Sequence, residues 1–515
     1  MKRVRAGIEN YLMLIFLVVN SLAFAALSVF LFRYSYVNID FSSEFPTLKA
    51  GSAAFNLTAF ILMMILIMVY IGIPDKVFSK VNVRSFTLTL SVAAAIISVV
   101  WVIISGAGPQ ADQYTICDAA SEFNSGYFGW LEKGQYLAIY PQNLGLVNIL
   151  RCLFAIFGDG NHLPFQILSA VSVLLVIFGT GLISESLTDD KKIRIMTVAV
   201  TFFCVPMYLY TPFVYGDVLS IAFGLCSIAA FIRSFEKSAY GNAVLYVITL
   251  LIAVTCRKNT FILAVAFICV CILKMLSKAS RKKAVVMILL TVFCMVMPSV
   301  TNSIIYREHA SEDAKPMPAL LWVQMGFNSS EGYYGSGWND FSNLVLYAEA
   351  GYDPELAEEM AKARLEVYRD WYRDNPWLLA DFMKRKITTQ WAAPMYQAFV
   401  MNSSVQREQA AVAKKIYYDP VIWRFLDKYM NLYQLLIYFG TACAGFFLMG
   451  NFGGAEKKVG LIAVFGGLLF SMIWEAKSRY VFPYLFMLIP YGIFGVCELS
   501  KKITGAIKGL KIRYD

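Results

Sequence analysis

Apolar residues gather into long runs separated by short polar breaks, the pattern of a chain that crosses a membrane repeatedly. Runs long enough to cover ~30 Å of hydrocarbon lie near 11–32, 52–73, 86–105, 164–183, 194–212, 214–234, 241–256, 259–276, 284–304, 430–449, 459–474 and 480–498. The first run is too long for a typical signal peptide and lacks a cleavage motif, so it is expected to stay as a helix. A further run at 136–157 contains Pro141, Gln142, Asn143, Asn148 and Arg151. That is polar for a span, and the segment is expected to lie in, or dip into, the outer leaflet. The predicted fold is an α-helical polytopic membrane protein with about twelve transmembrane helices.

A long polar stretch at roughly 305–429 interrupts these runs. Within it Asp353-Pro354 and Asn375-Pro376 place a capping side chain before a proline at the first helical position. Helices are predicted to start near 354 and 376, and Asp419-Pro420 marks a third start. The chain divides into a membrane domain over 1–304 with an outer loop at 106–163, a mostly helical soluble insert over 305–429, and membrane helices with a tail over 430–515. No internal repeat is visible.

Charge assigns the sides. Lys2, Arg3 and Arg5 precede the first run, and Lys501, Lys502, Lys508, Lys511 and Arg513 follow the last. Positive residues stay cytoplasmic, so both ends are expected inside, which needs an even number of crossings. Twelve then also places Lys76, Lys80, Arg84, Lys191, Lys192, the 274–283 cluster, Lys457 and Lys458 inside. The outer loop, the insert and the charged knot Glu475-Ala476-Lys477-Ser478-Arg479 fall on the opposite face.

Composition agrees. Of 515 residues, 58% are hydrophobic and 16% charged, against roughly 25% charged in soluble proteins. The net charge of +10 is read as orientation, and no nucleic-acid partner is expected. Nearly all ten cysteines lie in or beside apolar runs, and the two histidines, His162 and His309, are far apart. Neither a disulfide framework nor a His-rich metal site is predicted.

The candidate chemistry lies on the outer face. Asp112 follows the third run directly and could act as general base on a hydroxyl; a solvated loop aspartate is the alternative. Asp217 opens a span, where helix capping also explains an acid. Arg257 and Lys258 break the positive-inside trend and suit a lipid phosphate, or snorkel to headgroups. Arg479 is a comparable cation with Glu475 one helical turn before it; a solvated turn is the alternative. Tyr333, Tyr334 and Trp338 lie in a glycine-rich loop that could stack on a sugar or pack on the membrane domain. Carboxylates and cations on one face suit a reaction between a lipid phosphate and a polar acceptor.

In order and sidedness these residues resemble the GT-C membrane glycosyltransferases, in particular the protein-mannosyltransferase and aminoarabinose-transferase branch. The matches are Asp112 at the start of the outer loop, Tyr140-Pro141-Gln142-Asn143-Leu144 ending in Phe157-Gly158, Leu163-Pro164, Asp217, Arg257-Lys258, and Glu475, Arg479, Tyr480 and Pro483. Gln113 stands where that branch usually has a second acid. Trp322 to Gly326 and Lys386 to Trp391 resemble Gram-positive members whose substrate is not known.

The resemblance implies transfer of a sugar from a polyprenyl-phosphate donor to an extracytoplasmic hydroxyl with inversion. Asp112 would be the base, and Asp217 would position the acceptor or a cation. Arg257, Lys258, Arg479, Glu475 and Tyr480 would form the donor end, with Tyr333, Tyr334 and Trp338 at the acceptor. A divalent metal is left open by Gln113. The expected setting is a bacterial plasma membrane, with a cell-envelope polymer, glycolipid or protein as acceptor. Rival readings are a ligase or polymerase acting on lipid diphosphate, and a transporter or flippase, which would show two related halves.

Overall fold

The computed structural model describes residues 2–38, 44, 46–236, 240–328, 337–338, 342–449 and 454–514; the side chains of 2–8 and 508–514 are outside that description. Among the described residues nine helices are long and apolar enough to cross a membrane: Glu9–Leu31, Ala53–Gly72, Val83–Ser105, Leu163–Leu187, Asp217–Glu236, Lys258–Met275, Arg281–His309, Pro420–Met449 and Ser478–Ile507. Their outer faces are apolar and uncovered. On Ala53–Gly72, Phe55, Leu57, Ile61, Leu62, Ile65, Leu66 and Val69 are all exposed, an apolar surface far larger than soluble monomers leave open. The chain is an α-helical multi-pass membrane protein.

Three of the twelve expected spans take other forms. The run at 194–212 breaks into Lys191–Phe202 and the short Val205–Leu209. Pro206 and Pro212 lack the N–H that a continuous helix needs. Tyr240–Cys256 and Val459–Ile473 are helices of 17 and 15 residues, short of the ~20 that a perpendicular span requires. The polar run expected at 136–157 is part of a bent pair, Gly129–Ile139 and Pro141–Phe157, with 101° between its halves. The break falls at Tyr140-Pro141.

The centre of the bundle is held by Pro420–Met449 packed on the Ser478–Tyr514 helix, with Lys2–Leu31 against the former. A Cβ at Gly440 or Gly495 would run into the backbone of the facing helix. These glycines let the two backbones approach, which in lipid is the main route to close helix packing. Asp217–Glu236 sits between Leu163–Leu187 and Tyr240–Cys256.

The insert begins its helices where the Asp-Pro and Asn-Pro pairs predict. Pro354–Asp374 is capped by Asp353, whose side chain accepts from Glu355 N and Leu356 N at 2.9 and 3.0 Å. Pro376–Trp391 follows Asn375 without a side-chain cap, and Asp419 accepts from Val421 N at 2.8 Å as Pro420–Met449 starts. The insert is not packed as one unit, however. Met317, Leu321, Leu346, Tyr347, Ala357 and Ala361 form a small core with Ile139. Trp391 to Met401, Ala413 and Tyr417 instead join the core of the membrane helices. A hairpin of antiparallel strands, Tyr34–Val37 with Thr47–Ala50, closes over that second part, and Tyr36 N donates to Ala392 O at 2.8 Å.

Candidate active site

The loop bearing Asp112 is fastened along the stretch that runs from Val400 to Arg407. Gly106 O accepts from Gln406 N and Arg407 N at 2.9 and 3.0 Å, and Gly108 N donates to Ser404 O at 3.0 Å. The Gln110 side-chain amide donates to Val400 O at 2.6 Å. Gln113 is buried; its Nε2 donates to Met401 O at 3.1 Å while its Oε1 accepts from Val214 N at 2.8 Å. A carboxylate could accept from Val214 but could not donate to Met401. Gln113 therefore clamps three segments together.

Asp112 opens the Asp112–Asn124 helix, and Ala111 before it holds φ 46° and ψ −127°. A residue with a Cβ is strained there, by roughly 1–3 kcal/mol, and such strain persists only where the surroundings over-determine it. Asp112 itself is exposed, with no hydrogen-bond partner among the described residues. It lies within electrostatic reach of Tyr136, Tyr140, Tyr215 and Glu475.

Beside it, Tyr215-Gly216-Asp217 turns into the Asp217–Glu236 helix. Gly216 has φ 77°, and a Cβ there would sit 2.7 Å from Cys256 O. This close approach brings buried Asp217 to Arg257, with Oδ1 3.5 Å from Nη2, while Oδ2 is buried without a partner among the described residues. The Arg257 and Arg479 guanidiniums lie 4.8 and 5.1 Å from the centre of the Tyr215 ring. The Tyr215 hydroxyl is 2.7 Å from that of Tyr136, and Asn143 Nδ2 donates to both at 3.0 and 3.2 Å.

Arg479 is 7% exposed. Its Nη1 contacts Met401 Sδ at 3.3 Å, its Nε is buried and unpartnered, and among the described residues no carboxylate lies within 4.0 Å of it. A buried guanidinium normally takes a direct anionic partner. This one faces aromatic rings instead, with Asp217 at longer electrostatic range.

The expected pairing of Glu475 with Arg479 is not formed. Residues 474–477 are non-helical, so the two are not one helical turn apart. Glu475 Oε1 accepts from the Tyr480 hydroxyl at 2.6 Å. Burial raises its carboxyl above the usual carboxylate range, against the opposing pull of Lys477, Tyr480 and Arg479. Lys477 pairs with Glu44 and lies 4.4 Å from the Trp338 ring centre. The dipeptide Arg257-Lys258 also divides. Arg257 is extended, with φ −151° and ψ 120°, so the next side chain points away. Lys258 is exposed over Phe261. Tyr333 and Tyr334 lie outside the described residues.

An aromatic wall connects these parts. Tyr136, Tyr140, Trp322 and Trp474 follow one another at ring separations of 5.0, 6.0 and 5.6 Å. Behind it, fully buried Lys386 donates to Gly326 O and sits 5.2 Å from the Phe327 ring centre. Burial pushes its ammonium down to about 7, with Glu475 opposing the shift. Glu44, Met401 and the clamp role of Gln113 carry no signal in the local sequence, since each acts through a distant partner. Tyr215, directly before Gly216-Asp217, could have been read from that neighbourhood. Among the described residues no three His, Cys, Asp or Glu side chains converge as a metal site. Comparison with protein-family models, with curated protein sequences and with solved structures finds no significant match.

Proposed function

We propose that this multi-pass membrane protein is a glycosyltransferase that moves a sugar from a polyprenyl-phosphate donor to an acceptor hydroxyl. The observation that carries the reading is Arg479, a buried guanidinium that among the described residues has no carboxylate within ion-pair range, beside Arg257 and in one aromatic site with the exposed carboxylate of Asp112. Phosphate oxygens match the guanidinium fork, and the aromatic wall suits a sugar face. In this reading Asp112 takes the proton of the acceptor hydroxyl as that oxygen bonds to the anomeric carbon. The bond from that carbon to the lipid phosphate breaks, and the phosphate leaves with its electron pair toward Arg257 and Arg479. Attack opposite the leaving group inverts the anomeric centre. Asp217 orients Arg257, and Tyr480 with Glu475 lines the donor end.

The proposed topology has twelve crossings, both ends cytoplasmic and the site outside, in a bacterial plasma membrane. The acceptor would be an envelope polymer, a glycolipid or a protein. Labelled-sugar transfer in membranes containing the protein tests the reading. Asp112→Asn is expected to lower transfer by about 10²–10⁴-fold with little change in thermal stability, because the carboxylate is exposed and has no hydrogen-bond partner among the described residues. Undiminished transfer would remove Asp112 as base. Two guanidiniums would also hold a diphosphate, and donors with one or two phosphates separate the glycan ligase reading.

A further inference from the structure

At the other end of the bundle three arginines converge on one carboxylate. Glu185, near the end of Leu163–Leu187, has Oε1 3.6 Å from Arg84 and Oε2 3.4 Å from both Arg194 and Arg233. Arg84 lies at the start of Val83–Ser105, Arg194 in the first turn of Lys191–Phe202, and Arg233 in the last turn of Asp217–Glu236. Asp217 opens the same helix that Arg233 closes, so the cluster lies roughly 24 Å along that helix axis from the candidate active site.

Among the described residues Glu185 is the only carboxylate in ion-pair range of these three guanidiniums. It leaves two positive charges uncompensated. The contacts are also longer than the ~2.7–2.9 Å of a charge-assisted hydrogen bond. Each guanidinium has five N–H donors, so most are not used on Glu185. Among the described residues Arg194 Nε is buried without a partner, and the Arg84 side chain is 81% exposed. One turn beyond Arg84 an exposed apolar stripe begins, with Leu88, Val92 and Ile96 spaced by four on the same helix. A cationic pocket at the end of such a stripe matches the two halves of a phospholipid.

We propose that Arg84, Arg194 and Arg233 form a headgroup site for an anionic phospholipid whose acyl chain lies along Leu88, Val92 and Ile96. The phosphate oxygens take the guanidinium donors that Glu185 leaves open, and the lipid ties three helices together at the membrane boundary. Juxtamembrane basic groups gain about fivefold in anionic-lipid affinity for each cation.

The full chain, purified in detergent, is offered phosphatidylglycerol or phosphatidylcholine, and bound lipid is counted by native mass spectrometry. Several-fold preference for phosphatidylglycerol, lowered about fivefold by Arg84→Gln and unchanged by Lys282→Gln, supports the site. Arg84 is mostly solvent-exposed, so its variant is expected to fold; Lys282 tests diffuse surface charge. Equal retention of the two lipids, an equal loss in both variants, or full displacement by soluble glycerol phosphate would overturn the proposal.

Discussion

Asp217 reaches Arg257 at 3.5 Å because Gly216 lets the helix start lie against Cys256 O. The contact joins two helix ends that are adjacent in space and about forty residues apart in the chain. Gly216→Ala places a Cβ 2.7 Å from that oxygen at φ 77°. Left-handed backbone alone disfavours alanine by about 1–2 kcal/mol, and the clash adds to it. A lower unfolding temperature in detergent, together with weaker binding of polyprenyl phosphate, is the expected result. Unchanged binding would mean that the Asp217–Arg257 contact is not needed to hold the donor end.

Gln113 tests the clamp that ties the Asp112 loop to Met401 and Val214. Gln113→Glu keeps the acceptor for Val214 N but turns a carboxylate oxygen toward Met401 O. An unsatisfied buried group costs about 1–3 kcal/mol. The variant is expected to unfold at lower temperature than wild type, with the deficit shrinking as pH falls and the introduced acid is protonated. If Gln113→Glu is as stable as wild type at neutral pH, the two hydrogen bonds are not holding the loop.

Arg479→Lys preserves charge and removes the fork. Because no carboxylate pairs with Arg479 among the described residues, the substitution leaves no partner stranded. The expected effect is a rise of about tenfold in KM for the lipid-phosphate donor, with a smaller change in kcat. Steady-state transfer at varied donor concentration reads the split. An unaltered KM would move the phosphate away from this residue.

Lys386 sets a pH dependence with a definite sign. Its ammonium falls from 10.5 to about 7 in the folded protein, so between those values the unfolded chain binds the extra proton. Stability from this group is fully present above 10.5 and is lost as pH falls toward 7. Wild type is therefore expected to gain stability from pH 7 to pH 10 relative to Lys386→Met. Thermal unfolding of both proteins across that range checks it, and parallel curves would contradict the shift.

Much of the architecture was legible because it rests on local rules. Apolar run length predicts spans, and nine of the twelve expected runs form helices long enough to cross. Asp353-Pro354 marks a helix start because the cap and the ring act within one turn. Where the structure departs from the spacing in the chain, the backbone breaks locally from the regular helix that the spacing assumes. Glu475 and Arg479 have helical spacing in the chain, yet residues 474–477 are non-helical and Glu475 accepts from Tyr480 instead. Arg257 and Lys258 are neighbours in sequence but diverge at an extended residue.

The sequence by itself determined the class of the molecule, a chain too apolar to be anything but membrane-embedded, and the residue types from which a lipid-phosphate site could be built. Hydropathy and helix capping act between neighbours, so they survive without a fold. Only the tertiary structure decided that Gln113 clamps Met401 to Val214, that Asp217 meets Arg257, and that Arg479 is buried among aromatic rings. Those facts depend on hydrogen bonds and desolvation between segments tens to hundreds of residues apart, for which the linear order carries no distance.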